Sequence, residues 1–135
     1  LGVAGYPDVP EVRHAAPAAT TAAEPPDGAR WLDAPAPDPV ELAFTLDQTD
    51  SNQHVNSLVY VRAFLEATNR RLAAAGRSLV VRSRAIDIAY RKPCFAGDRV
   101  REHLGLFEHD GAVGAAGHIE GSDGKPRCFV RVALG

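Results

Sequence analysis

Seven consecutive residues, Asp50-Ser51-Asn52-Gln53-His54-Val55-Asn56, gather a carboxylate, side-chain amides and an imidazole. An apolar, helix-like stretch opens directly after them at Ser57. Acid/base groups therefore stand at the positive end of a helix, where a carbonyl oxygen gaining negative charge is stabilised. The first backbone amides of a helix lack intrahelical acceptors and can receive that oxygen. His54, with an intrinsic pKa near neutrality, can take a proton from water. Asp50 and Asn52 can orient His54 or the water, and Asn52 or Asn56 can cap the helix at Ser57. Cys94 is a weaker candidate, since a Cys-His-Asn set can form an acyl-enzyme. The chemistry that suits these groups is attack on an ester or thioester, and it needs no metal. His14, His103, His109 and His118 show no ligand spacing and are expected to be surface or sheet residues.

The elements that must position this set are legible from periodicity. Leu42 to Leu46 alternates like a strand. Ser57 to Ala75 reads as one helix, with Leu58, Val61, Leu65 and Leu72 on one stripe and Tyr60 and Phe64 on a second. A helix apolar on two sides is expected to be wrapped by a sheet or buried between subunits. Gly76 suits the left-handed residue after its end. Leu79 to Arg91, Arg99 to Glu108, Ala112 to Gly121 and Arg127 to Leu134 read as strands. His109-Asp110-Gly111 and Ser122-Asp123-Gly124 are the turns between the last three. Gly114 and Gly117 lighten their strand, so a neighbour is expected to approach closely there. One apolar helix followed by an antiparallel meander of short connections predicts an α+β domain, with the sheet curling around the helix.

Composition bounds the rest. The chain has 135 residues, enough for one core. Eight of its ten prolines lie before residue 40, so residues 1–39 read as a Pro/Ala-rich linker or arm and 40–135 as the folded domain. Within the arm, Trp31-Leu32 is the spot expected to dock on the body. Leu1 to Gly5 has no basic or long apolar region, so no signal peptide is expected. The chain contains no Met, so an upstream segment is expected to have been removed or left out. No apolar run is long enough for a bilayer. Cys94 and Cys128 form no CxxC motif, and a reduced, cytoplasmic setting is the simpler expectation. From Arg62 to Arg101 there are ten basic and three acidic residues, although net charge is −2 overall. That excess favours an acidic or phosphorylated partner. No zinc spacing, aromatic-basic stripe or RNP-like motif points to nucleic acid.

Two segments carry a family resemblance. Asp50-Ser51-Asn52-Gln53-His54-Val55-Asn56, followed by Tyr60, resembles the Asp-x-Asn-x-His-Val-Asn segment at the head of the helix in hotdog-fold thioesterases. Tyr90-Arg91-Lys92-Pro93-Cys94 is similar to a Tyr-Arg-(Arg/Lys)-x-Cys segment at the end of the next strand. Together they look most like the C-terminal hotdog half of the acyl-ACP thioesterases, and Val9 to Arg13 is similar to that family's linker between halves. The resemblance implies a hotdog fold, a central helix wrapped by a curved antiparallel sheet of about five strands. It implies an acyl-thioesterase without cofactor, acting on acyl chains held on acyl carrier protein or CoA. Asp50, Asn52 and His54 would be catalytic, with Asp50 as base or nucleophile in some relatives. Asn56 and Ser57 would form the oxyanion site, and Tyr60, Tyr90, Arg91 and Lys92 would meet the substrate or carrier. The helix stripe with Ile86, Ile88 and Val130 would line an acyl tunnel.

The sequence departs from the pattern at two positions. Plant members carry an acid just before the Tyr-Arg pair, where this chain has Ala89, and Pro93 replaces an acid before the cysteine. Asp87 is the candidate substitute. The departures keep a non-catalytic acyl-binding or structural hotdog as the alternative, with a hotdog dehydratase third. A lone hotdog leaves strand edges open, so a homodimer or higher oligomer is expected.

Overall fold

A computed structural model describes residues 11–14, 24–77 and 83–134, with backbone alone for 11–14, 83 and 84. In chain order the elements are β1 (Glu11–His14), β2 (Arg30–Ala43), a short 3-10 turn (Leu46–Gln48), α1 (Ser57–Ala74), β3 (Ser83–Tyr90), β4 (Arg99–His109), β5 (Ala112–Gly121) and β6 (Pro126–Leu134). Residues 78–82, the expected start of the strand before Tyr90, lie outside the described residues, as do Val9 and Pro10.

The strands form one sheet in the order β1-β3-β6-β5-β4-β2. Five of them pair antiparallel, as the meander predicted. β1 adds in parallel to the free edge of β3, within the segment read as linker or arm. β2 also begins inside that segment, at Arg30, and forms the opposite edge. Three prolines fit there because an edge strand has one unpaired side. Pro35 and Pro39 fall where the register with β4 shifts, and Pro37 pairs with His103 at the border of the shift that holds Pro39. Trp31 docks edge-on against Phe107, with ring centroids 6.4 Å apart.

Alternation sorts the sheet into two faces. The inner face carries Ile86, Ile88, Val100, Leu104, Leu106, Ala115, Ile119, Cys128, Val130 and Val132, all buried beneath α1. From the helix, Tyr60, Val61, Phe64, Ala67 and Leu72 meet them. Leu58, assigned to the same stripe, is instead 60% exposed. The close approach expected at the strand glycines is present. A Cβ at Gly117 would strike the His103 carbonyl, and one at Gly114 would strike the Phe107 ring. Both cysteines are free and buried. No helix among the described residues is long and apolar enough to cross a membrane.

One inner-face residue is out of place. Glu102 is 0% exposed, and neither of its carboxylate oxygens has a hydrogen-bond partner among the described residues. Nearby Asp38 is already held by the Arg70 guanidinium at 2.8 Å. Burial pushes the Glu102 carboxyl up to about 7, with the Asp38 charge adding to the effect. The folded state therefore keeps a proton that the unfolded state loses at about pH 4.3. Stability is fully present below that value and falls as pH rises to 7, by about 3 kcal/mol in total. Glu102→Gln should flatten this slope and raise the melting temperature at pH 8 more than at pH 5. Parallel melting curves for the two proteins between pH 5 and 8 would show the assignment to be wrong.

Candidate active site

The loop before α1 is built by Asp50. Its carboxylate Oδ1 accepts the Asn52 amide at 2.9 Å and the His54 amide at 3.1 Å. The Asp50 amide donates to the His54 carbonyl, and the Gln53 amide to the Asp50 carbonyl, both at 2.9 Å. Closing so tight a loop puts Gln53 in the left-handed region at φ 63°. An Asp suits its head because its short carboxylate reaches backbone amides two residues on.

The chain then enters α1 through Asn56. Its side-chain oxygen accepts the Leu58 amide at 2.9 Å, and its carbonyl accepts the Val59 amide at 3.0 Å. The expected row of free helix amides is shorter for that reason. Of the first three, only the Ser57 N–H is left without an acceptor among the described residues.

The second motif returns to this helix start through backbone contacts. The Cys94 amide donates to the Tyr60 hydroxyl at 2.9 Å, and the Cys94 carbonyl accepts the Val55 amide at 2.8 Å. One residue thus ties the loop, the helix and the end of β3 together. Next to it, Phe95 bridges His54 in the backbone and meets its ring edge-to-face at 5.0 Å. Tyr90 donates its hydroxyl to the Ser57 carbonyl at 3.4 Å and packs on Tyr60. Burial pushes the Tyr90 hydroxyl up to about 12 and raises Tyr60 further, so both stay protonated near neutral pH. The Arg127 carbonyl accepts the Arg91 and Lys92 amides, which fixes the turn after β3.

A cleft of about 570 Å³ opens where these segments meet. Asp50, His54, Val55, Asn56, Ser57, Tyr60, Tyr90, Arg91, Lys92 and Pro93 line it. Asp50 is exposed and His54 half-buried at its edge, and Arg91 and Lys92 form an exposed cationic rim. Eight of the ten residues singled out from the sequence border one space. Asn52 does not; it is exposed on the loop and takes no part in the lining. Cys94 does not either. It is fully buried, and burial raises its thiol. A raised thiol carries little thiolate, so the environment is that of a structural cysteine. Ile86, Ile88 and Val130 fill the core and border no part of the cleft, because the α1 side chains occupy the space a tunnel would need. Asp87 is on the outer face, paired with Arg131 at 3.2 Å, and cannot replace an acid in the cleft. Val55 and Pro93 also line the cleft, and Phe95 backs His54. None was singled out as a site residue, because each is an apolar neighbour of a more conspicuous motif residue.

The arrangement of sheet, helix and loop has close parallels among solved structures. A Staphylococcus aureus protein solved in complex with CoA matches with a TM-score of 0.64 at 18% identity, over 74% of this chain and 69% of that one. A 1,4-dihydroxy-2-naphthoyl-CoA thioesterase from Synechocystis matches with a TM-score of 0.64 at 16% identity, over 70% and 77%. The chain has the hotdog fold. A gentisyl-coenzyme A thioesterase gives a TM-score of 0.63 at 14% identity, over 70% and 84%. No protein-family model matches the sequence, and no curated protein matches it. Likeness at this identity establishes the hotdog architecture.

The Tyr60–Cys94 contact can be tested by removing one oxygen. Tyr60→Phe leaves a buried N–H without its acceptor, which should cost about 1–3 kcal/mol. A chemical-denaturation midpoint unchanged from the parent would mean that water or another group satisfies Cys94.

Proposed function

We propose that this hotdog protein is a thioesterase hydrolysing acyl groups carried on CoA or acyl carrier protein. The observation that carries the reading is the convergence of Asp50, His54 and the Ser57 amide on one cleft whose rim holds Arg91 and Lys92. In this reading the thioester carbonyl oxygen accepts the Ser57 N–H at the positive end of α1. His54 takes a proton from water, and the water oxygen bonds to the carbonyl carbon. Asp50 holds the loop that aims His54, and in this reading its second carboxylate oxygen orients the water. The tetrahedral intermediate then collapses, the C–S bond breaks, and the thiolate takes the proton from the imidazolium. Phosphates of the carrier meet Arg91 and Lys92, which act as surface cations sensitive to salt. Structural neighbours whose names specify CoA thioesters support the CoA branch. Likeness of the two motifs to acyl-ACP thioesterases supports the carrier-protein branch.

The second reading is a binding-only hotdog, and it rests on the departure from the plant pattern. The position that holds an acid in the plant enzymes is Ala89, buried against Phe129 on the outer face. Substrate turnover separates the readings. Purified protein should hydrolyse members of an acyl-CoA and acyl-ACP panel. His54→Ala should lower kcat by roughly 10²–10⁴-fold. Asp50→Asn keeps an oxygen for the loop amides but removes the charge, and should lower kcat by a similar factor. Full activity in both variants would eliminate this mechanism, and tight binding without turnover would establish the alternative.

The cationic rim generates a separate expectation. Arg91→Ala with Lys92→Ala should raise KM for CoA thioesters roughly tenfold, flatten the dependence on ionic strength, and leave kcat near the parent value. An equal effect on short thioesters that lack phosphate would assign the pair another role. Leu46, Leu58 and Phe95 are exposed apolar side chains on the helix-entry side. We expect a second copy to cover them, giving a homodimer or higher oligomer. A monomer mass by light scattering at micromolar concentration would refute that.

A further inference from the structure

The outer face of the sheet, away from α1, carries a second cluster of chemically active side chains. His103 on β4 and His118 on β5 are direct cross-strand partners. Glu120 follows His118 by two residues and so projects from the same face. The imidazole planes lie 7° from parallel with centroids 4.8 Å apart. Both rings turn Nε2 toward one carboxylate. His103 Nε2 is 3.1 Å from Glu120 Oε2, and His118 Nε2 is 3.4 Å from Glu120 Oε1. One ligand atom from each residue lies within 4.8 Å of the other two.

These spacings suit a shared ion. Around a tetrahedral zinc with bonds of about 2.1 Å, neighbouring ligand atoms stand about 3.4 Å apart. The two His–Glu spacings, 3.1 and 3.4 Å, are close to that value. The backbone beneath the cluster is held in place. β4 and β5 are interior strands, Gly117 lets them approach closely beside His103, and His118 rests edge-on against Phe129. Arg101 lies across from Glu120 but is committed elsewhere, donating to the Asp38 carbonyl at 2.7 Å and approaching Glu41 at 3.9 Å. The three side chains keep 24%, 28% and 30% of their surface exposed, enough for an ion to enter and keep a water ligand.

We propose that His103, His118 and Glu120 bind a divalent transition-metal ion of the zinc class through two imidazole nitrogens and one carboxylate. Imidazole with carboxylate is the donor set for such ions, whereas calcium and magnesium prefer oxygen throughout. The site braces β4 to β5 on the sheet face opposite the helix and takes no part in the hydrolysis proposed above. Its test is therefore independent of activity.

Untagged protein stripped with chelator should be titrated with zinc chloride by calorimetry and with cobalt chloride by visible absorption. Saturable one-to-one binding in the micromolar range is expected, with a cobalt ligand-field band. Glu120→Gln and His118→Asn should each weaken zinc by roughly tenfold or more. His109→Gln, six residues along β4 from His103 towards the turn, should not. A measurement on unaltered protein keeps the proposal falsifiable if a variant fails to fold. Saturating zinc should shield His103 and His118, and not His109, from diethylpyrocarbonate, read by peptide mass spectrometry. No saturable binding, unchanged affinity in His103→Asn/His118→Asn, or unshielded labelling of both rings would overturn it.

Discussion

The backbone of Cys94 is the constraint on which the candidate site depends. Its N–H reaches the Tyr60 hydroxyl, one turn into α1, and its carbonyl takes the Val55 amide at the end of the Asp50 loop. Three segments distant in sequence are thereby held at one point. Buried polar groups of this kind must be satisfied, and each unmet one carries a large desolvation penalty. The loop, the helix start and the exit of β3 cannot drift apart without leaving such groups unpaired. The cysteine side chain contributes bulk to the core, and its peptide groups do the positioning.

A second consequence concerns charge. The helix cap and first turn consume the Leu58 and Val59 amides, so the electropositive end of α1 offers a carbonyl oxygen one amide rather than several. Stabilisation of an oxyanion would then draw on that amide, the helix dipole and His54 together. Arg91 and Lys92 stand at the rim because Arg127 holds their backbone from the neighbouring strand. Arg127 is itself anchored by Asp123 at 3.0 Å. Arg91 also lies over the Phe129 ring at 5.6 Å, and His118 meets the same ring edge-on at 6.2 Å. The rim of the cleft and the outer-face cluster thus share one aromatic neighbour.

The sheet faces differ in what they tolerate. Between sheet and helix the packing is apolar apart from Glu102 and the neighbouring Asp38–Arg70 pair, and burial lets Glu102 hold its proton up to about pH 7. The outer face accepts His103, His118, Glu120, Asp87 and Arg131 because each meets an opposite charge or a donor partner there. Glycines at 105 and 114 permit this face to pack Trp31 and Phe107 closely.

Much of this architecture was readable in the linear chain. Apolar spacing marked α1, Asp-Gly marked the β4–β5 turn, and alternation marked which face of β6 is buried. Those signals are local, so they survive without a structure. The Asp50 loop and the Tyr90 motif were visible as chemistry for the same reason. The strand that starts at Arg30 was hidden, because proline suppresses the pattern while an edge position still accepts it. The parallel addition of β1 was hidden too, since its partner lies over seventy residues away. Asn52 and Cys94 have side chains suited to catalysis, but which way a side chain points is decided by packing. The His103–His118 pair sits between these cases. The turn at Asp110-Gly111 sets a register that makes the two residues partners, so their adjacency was latent in the sequence. Only the tertiary structure decided that both rings turn toward Glu120, because rotamers are chosen by neighbours that the chain order does not name.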